Sequence, residues 1–226
     1  MFDAIAFRYD QLNHLLSLGI DRSWRRKVVR RVKSLGAHRI LDVATGTGDL
    51  ALMMARACPA ATIEGIDLSE QMLAIGQQKV ELAGLEQRIF LSQGDAESLS
   101  MENDSYDCVT VAFGVRNFED IDRGMAEIWR VLRPEGRVFV LEFGLPKNKW
   151  LGGFYRFYFH RVLPGIGRWI SRDKQAYTYL PRSVDHFPYG EGFMRVMRQS
   201  GFEAVNCRDL FGGVAQIYEG VKSQGL

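Results

Sequence analysis

From residue 39 onward, short apolar runs alternate with stretches whose apolar residues recur at helical spacing. The runs at 40–43, 62–67, 89–93, 107–113 and 137–143 lack polar alternation, as strands buried on both faces do. Helical patterns at 50–57, 70–83 and 122–132 lie between them. Such alternation with short connections predicts parallel βαβ units. Pro134-Glu-Gly136 ends the last of these helices and turns the chain into the fifth strand. Regularity breaks over 145–189, which is aromatic, basic and dotted with Pro and Gly. It returns with a helix over 190–201 and two runs, 203–209 and 214–220, close enough to pair as an antiparallel hairpin at the sheet edge.

Composition narrows the class. A chain of 226 residues, 46% hydrophobic and 25% charged, makes one sizeable α/β domain. Net charge is +2, so nothing global points to nucleic acid. Cys58, Cys108 and Cys207 are far apart and form no C-x-x-C, which argues against a disulfide framework or a zinc site and fits a reducing cytosol. No apolar run approaches ~18 residues, so a spanning helix is not expected. The first ten residues lack a signal-peptide pattern, and an amphipathic pattern already runs at residue 2, which leaves room for residues ahead of Met1. Basic residues crowd 22–33, namely Arg22, Arg25, Arg26, Lys27, Arg30, Arg31 and Lys33, and read as a solvated helix face.

The chemistry sits first at the turn after the first strand, Asp42-Val-Ala-Thr-Gly-Thr-Gly-Asp49. A strand, a glycine turn and a helix form the ligand-binding corner of a Rossmann-like sheet, where Gly46 and Gly48 let a ligand approach the main chain. A dinucleotide site reads G-x-G-x-x-G and offers a helix N-terminus to a pyrophosphate. Here Asp42 and Asp49 flank the turn and would repel it. They suit a cationic ligand with an amino-acid end, such as S-adenosylmethionine, and a NAD-dependent oxidoreductase is disfavoured by the same spacing. Asp67 closes the second strand about twenty residues on, where an acidic side chain accepts ribose hydroxyls. Asp95-Ala96 follows the third strand at the same rim, placed to bond an adenine amino group.

Residues 42–49 resemble motif I of class I methyltransferases, with Ala44 in place of the usual first glycine. That replacement, and motifs along the whole chain, are similar to the menaquinone/ubiquinone biosynthesis C-methyltransferase family. Phe2-Asp-Ala-Ile-Ala-Phe-Arg-Tyr-Asp10 with Asn13, Ser17, Gly19 and Trp24 resembles its N-terminal signature. Phe113-Gly-Val-Arg-Asn117, Tyr177-Thr-Tyr-Leu-Pro-Arg-Ser183 and Gly212-Gly-Val-Ala-Gln-Ile217 resemble three further motifs in order. The resemblance implies a single domain over 1–226. Its Rossmann-like seven-stranded sheet has the last strand antiparallel, with N-terminal helices (1–35) over the cofactor and a lid or substrate insertion at 145–189. By position it implies S-adenosylmethionine contacts at Thr47, Asp67 and the Asp95-Ala96 pair. Ala112 stands where some members carry serine, so only a backbone contact is expected there.

The implied reaction is methylation of a ring carbon on a polyprenylated quinol, demethylmenaquinol first and the ubiquinone-pathway 2-methoxy-6-polyprenyl-1,4-benzoquinol second. A quinol becomes a carbon nucleophile once a hydroxyl gives up its proton, so the site needs a proton acceptor and a group that stabilises phenolate. Arg116 and Asn117 are candidates for stabilising and orienting. An alternative reading makes Arg116 a loop clamp pinned by Asp120 or Asp122. Tyr177 and His186 lie in the insertion, and His186 is the natural direct base, with a structural hydrogen-bonding role as the alternative. Tyr9 and Asp10 are expected over the cofactor or as caps. Aromatic and basic residues from Trp150 to Trp169 read either as a second core layer or as a channel for a prenyl tail resting on the bilayer interface. The second reading implies a cytoplasmic chain with transient, peripheral membrane contact, and exposed aromatics leave room for a homodimer. Two rivals share the fold. An aminopropyltransferase would need an acidic polyamine pocket, and a non-catalytic S-adenosylmethionine-binding regulator would lack the Arg116-Asn117 and 177–183 motifs.

Overall fold

In the computed structural model, residues 19–146 and 187–223 are described. The segments before residue 19, over 147–186 and beyond 223 lie outside them, and with them Tyr9, Asp10, Trp150, Trp169, Tyr177 and His186. Helix α1 (Asp21–Leu35) leads into β1 (Arg39–Val43), followed by α2 (Asp49–Ala57), β2 (Thr62–Asp67), α3 (Glu70–Leu82) and β3 (Ile89–Gln93). Strand β4 (Tyr106–Ala112), a short 3-10 turn at Val115–Asn117, α4 (Ile121–Val131) and β5 (Leu132–Phe143) complete the first stretch. Helix α5 (Glu191–Gln199), β6 (Phe202–Leu210) and β7 (Ala215–Lys222) follow.

The seven strands form one sheet in the order β3-β2-β1-β4-β5-β7-β6. The pairs β1–β2, β1–β4, β2–β3 and β4–β5 are parallel, and β7 runs antiparallel between β5 and β6. The predicted hairpin is therefore present, with β7 inserted next to β5. Strand alternation feeds two cores. Ile40, Ile63, Cys108, Phe139 and Leu141 face Trp24, Val28 and Val32 of α1 and the apolar side of α2. Leu41, Val43, Val109, Val111 and Val140 face Met125 and Ile128 of α4 and Phe193 and Met197 of α5. Each layer of helices so covers one face of a sheet whose central strands are buried on both sides.

Local chemistry sets the helix starts. Ser69 accepts the Met72 amide at 3.2 Å and caps α3, and Asp120 accepts the Arg123 amide at 3.0 Å and caps α4. One boundary differs from the sequence expectation. Pairing of β5 begins at Leu132, opposite Tyr106, and Pro134-Glu-Gly136 forms an irregularity inside the strand instead of a turn ahead of it. Glu135 takes φ 66°, and the register shifts between Tyr106 and Cys108. Two steps along β4 oppose five along β5 here, and extra residues on one side of a ladder bend the strand without ending it.

Because β1, β2 and β4 are parallel, their carboxyl ends reach one rim. Asp42 is in register with Gly65 on one side and Thr110 on the other. That rim is the crevice where ligands bind in such sheets.

Candidate functional site

A cavity of about 340 Å³ opens at this rim. Its walls come from the glycine turn, the end of β2 at Asp67-Leu68, the loop Gly94-Asp-Ala-Glu97, the end of β4 from Ala112 to Gly114, and Asn117 to Glu119. Arg25 and Met72 reach in from α1 and α3.

The turn is built by two left-handed glycines, Gly46 at φ 58° and Gly48 at φ 75°, the second preceding the first residue of α2. Ala44 is also left-handed, at φ 53°, a conformation costing a side-chain-bearing residue about 1 kcal/mol. Asp67 holds the turn shut from the neighbouring strand. One carboxylate oxygen accepts the Gly46 amide at 2.8 Å and the other accepts the Ser69 amide at 2.9 Å. A carboxylate oxygen accepts more than one hydrogen bond, so these two bonds do not by themselves exclude a ribose hydroxyl at Asp67.

Asp42 is only 1% exposed. It accepts the Thr45 hydroxyl at 2.7 Å and the Thr110 hydroxyl at 2.6 Å. Burial outweighs these bonds and pushes its carboxyl up to about 6. Thr47 is buried and accepts from the Lys79 ammonium at 2.9 Å, and Lys79 also reaches Asp49 at 2.8 Å. Asp95 accepts the Glu97 amide at 2.9 Å, with Ala96 buried beside it. Asp42, Gly46, Thr47, Asp67, Asp95, Ala96 and Ala112 therefore meet around one cavity, and Gly48 lies beside it in the turn.

A cationic nucleoside with an amino-acid end fits what is present. Carboxylates line the cavity at several points, apolar Leu68, Met72 and Phe118 supply surface for a ring, and Gly46, Gly94 and Gly114 bring no side chain into the lining.

Asn117 lines the cavity, whereas the Arg116 side chain is buried behind it. The Arg116 guanidinium donates to Glu142 at 2.7 Å and to the Phe113 carbonyl at 2.6 Å, and it lies 5.3 Å from the Phe143 ring centroid. A clamp of this kind was one reading of the sequence, with Asp120 or Asp122 as its anchor. Here Glu142 anchors it from β5, while Asp120 caps α4. Tyr177 and His186 lie outside the described residues.

Three contributors escaped sequence reasoning. Glu142 carries a visible signal, a lone acid in the apolar run Val138-Phe-Val-Leu-Glu-Phe143. Lys79 has none, because its partners sit thirty residues upstream. Arg25 corrects the expectation of a solvated basic face. Arg22, Arg26, Lys27, Arg30 and Lys33 are exposed as expected, but Arg25 is 8% exposed and faces the cavity. Its signal was Asp21 one helical turn earlier, which it meets at 2.7 Å.

Comparison with known proteins agrees with this geometry. The chain is 42% identical over 222 residues to a demethylmenaquinone methyltransferase of Bacteroides fragilis, covering 98% of this chain and 91% of that protein. It is 49% identical over 223 residues to a ubiquinone/menaquinone biosynthesis C-methyltransferase UbiE of Syntrophotalea carbinolica, covering 99% and 93%. Among solved structures, a putative S-adenosyl-L-methionine-dependent methyltransferase of Methanococcus maripaludis superposes with TM-score 0.66 at 21% identity, over 98% of this chain and 93% of that one. That likeness is one of fold, the class I methyltransferase fold. The model of the ubiE/COQ5 methyltransferase family matches residues 1–222, and the chain belongs to that family.

Proposed function

We propose that this methyltransferase uses S-adenosylmethionine to methylate a ring carbon of a polyprenylated quinol in respiratory quinone synthesis, with demethylmenaquinol as the acceptor. The observation that carries the donor half is the Asp67 clamp on the glycine turn, at the rim of a carboxylate-lined cavity. The acceptor half is supported by family membership and by the names of the relatives. The ubiquinone-pathway benzoquinol is the second acceptor, because relatives named for both quinones match the chain to similar extents.

When bound, S-adenosylmethionine supplies an electrophilic methyl on a sulfonium. The chain's task is to align a carbon with it and to take a proton from the quinol. Asn117, on the cavity wall, orients the acceptor oxygen or a water. Arg116 holds the turn that carries Asn117, through its bonds to the Phe113 carbonyl and the Glu142 carboxylate. His186 is assigned as the base because imidazole is the side chain suited to proton transfer near neutral pH, and Tyr177 as a catalytic residue because it belongs to the family motif at 177–183. Among the described residues no helix is long and apolar enough to cross a membrane. We assign the chain to the cytoplasm, with reversible contact between its aromatic insertion and the bilayer that holds the substrate. Pairing with a second copy belongs to the same reading.

An assay with methyl-labelled S-adenosylmethionine, offering demethylmenaquinol beside the methoxy-benzoquinol, tests it. Label in the naphthoquinol ring is expected. Label in neither ring product overturns the assignment.

A further inference from the structure

We infer that Arg25 is the residue that receives the carboxylate of the cofactor's amino-acid end, an assignment that rests on S-adenosylmethionine being the ligand of this cavity. The lining is otherwise acidic. Asp42, Asp49, Asp67, Asp95, Glu97 and Glu119 all border it, and Arg25 is the only Lys or Arg that does so among the described residues. Such a lining suits a sulfonium and an ammonium. It is hostile to the carboxylate that the same ligand carries, because a buried carboxylate needs a cation or several donors.

The guanidinium is held ready. One amino group donates to buried Asp21 at 2.7 Å and lies 3.7 Å from Asp49. The guanidinium carbon sits 5.7 Å from the Phe113 ring centroid at the end of β4. Its Nε is buried and has no hydrogen-bond partner among the described residues. An unsatisfied buried donor costs free energy, so the guanidinium keeps hydrogen-bonding capacity that its protein partners do not use. Asp21 occupies one amino group only, and a guanidinium has five N–H donors. Asp49 also accepts from Lys79, which donates to Thr47, so Arg25 stands beside the network that braces the glycine turn. α1 thus supplies a ligand-binding side chain from outside the sheet.

The test compares two ligands by calorimetry. S-adenosylhomocysteine carries the carboxylate. S-adenosyl-3-thiopropylamine keeps the nucleoside, sulfur and amine and lacks only that group. Wild-type protein is expected to prefer S-adenosylhomocysteine roughly tenfold or more, the range for a charge-assisted hydrogen bond. R25Q should lose most of that preference by weakening the first ligand while changing the second less than about threefold, and R25K should fall between. Equal wild-type affinities would overturn the assignment without any variant. So would an equal loss of both ligands in R25K at an unchanged Tm, which marks Arg25 as a packing residue. Wild-type protein that binds neither ligand sinks the cofactor reading itself.

Discussion

Arg116 and Glu142 form an ion pair at 2.7 Å with side chains 3% and 1% exposed, joining the turn after β4 to the end of β5. The same Glu142 oxygen also accepts the Phe143 amide at 2.9 Å, and the other accepts the Arg116 backbone amide at 3.4 Å. Two adjacent strands are thereby locked directly behind the cavity wall. A pair of this kind is costly to break from one end only, since the remaining charge stays buried.

Arg116→Ala should therefore destabilise the protein by about 3–5 kcal/mol, and its turnover loss should exceed its loss of S-adenosylhomocysteine affinity. Urea denaturation with calorimetry checks both. An unchanged denaturation midpoint would show that the pair does not hold the turn, and unchanged turnover would remove Arg116 from the mechanism.

Asp42 sets a pH dependence. Its carboxyl is raised from the usual 3.8 to about 6 by burial, so the folded chain keeps a proton that the unfolded chain has released. The stability this confers is complete below about pH 4 and is lost as pH rises through about 6, a loss of roughly 3 kcal/mol by neutral pH. Asp42→Asn retains an acceptor and a donor for the Thr45 and Thr110 hydroxyls and carries no charge. Its stability relative to wild type should rise by that order between pH 4 and 7. Parallel stability curves for the two proteins would refute the burial argument.

Ala44 and Gly114 predict a rescue. A methyl placed on Gly114 would lie 2.5 Å from the Ala44 Cβ, closer than carbon atoms approach. The backbone at Gly114 is ordinary, φ −110°, so the clash alone decides the outcome. Gly114→Ala should cost about 1–3 kcal/mol. Adding Ala44→Gly removes the obstructing methyl and the strain at φ 53°, and should restore most of the loss in thermal unfolding. A double variant no more stable than Gly114→Ala would locate the strain elsewhere.

The membrane reading predicts sedimentation with anionic liposomes at low salt and release as ionic strength rises, since exposed charges are screened. Replacing Trp150 and Trp169 should weaken the binding. Wild-type protein that stays in the supernatant at low salt counts against peripheral contact.

Much of the site was legible before any tertiary information. Gly46 and Gly48 mark the turn because left-handed backbone excludes most side chains, and Asp67 and Asp95 sit at strand ends that periodicity locates. Asp42 was placed correctly at the rim, yet its proton affinity was not readable. That depends on complete burial between Gly65 and Thr110, which register across three strands creates.

By itself the sequence determined the order of elements, the parallel sheet closed by an antiparallel hairpin, the glycine turn and the family. The first three rest on local spacing, which periodicity and turn chemistry expose, and the family rests on the resemblance of motifs along the chain. Only the tertiary structure decided that Glu142 holds Arg116, that Lys79 braces Thr47, and that Arg25 leaves its solvated neighbours to face the cavity. Each is a pairing or a burial, properties that arise when distant segments pack. A guanidinium on the wet side of α1 and one on its packed side are the same letter in the chain, and the partner across the gap makes them chemically different.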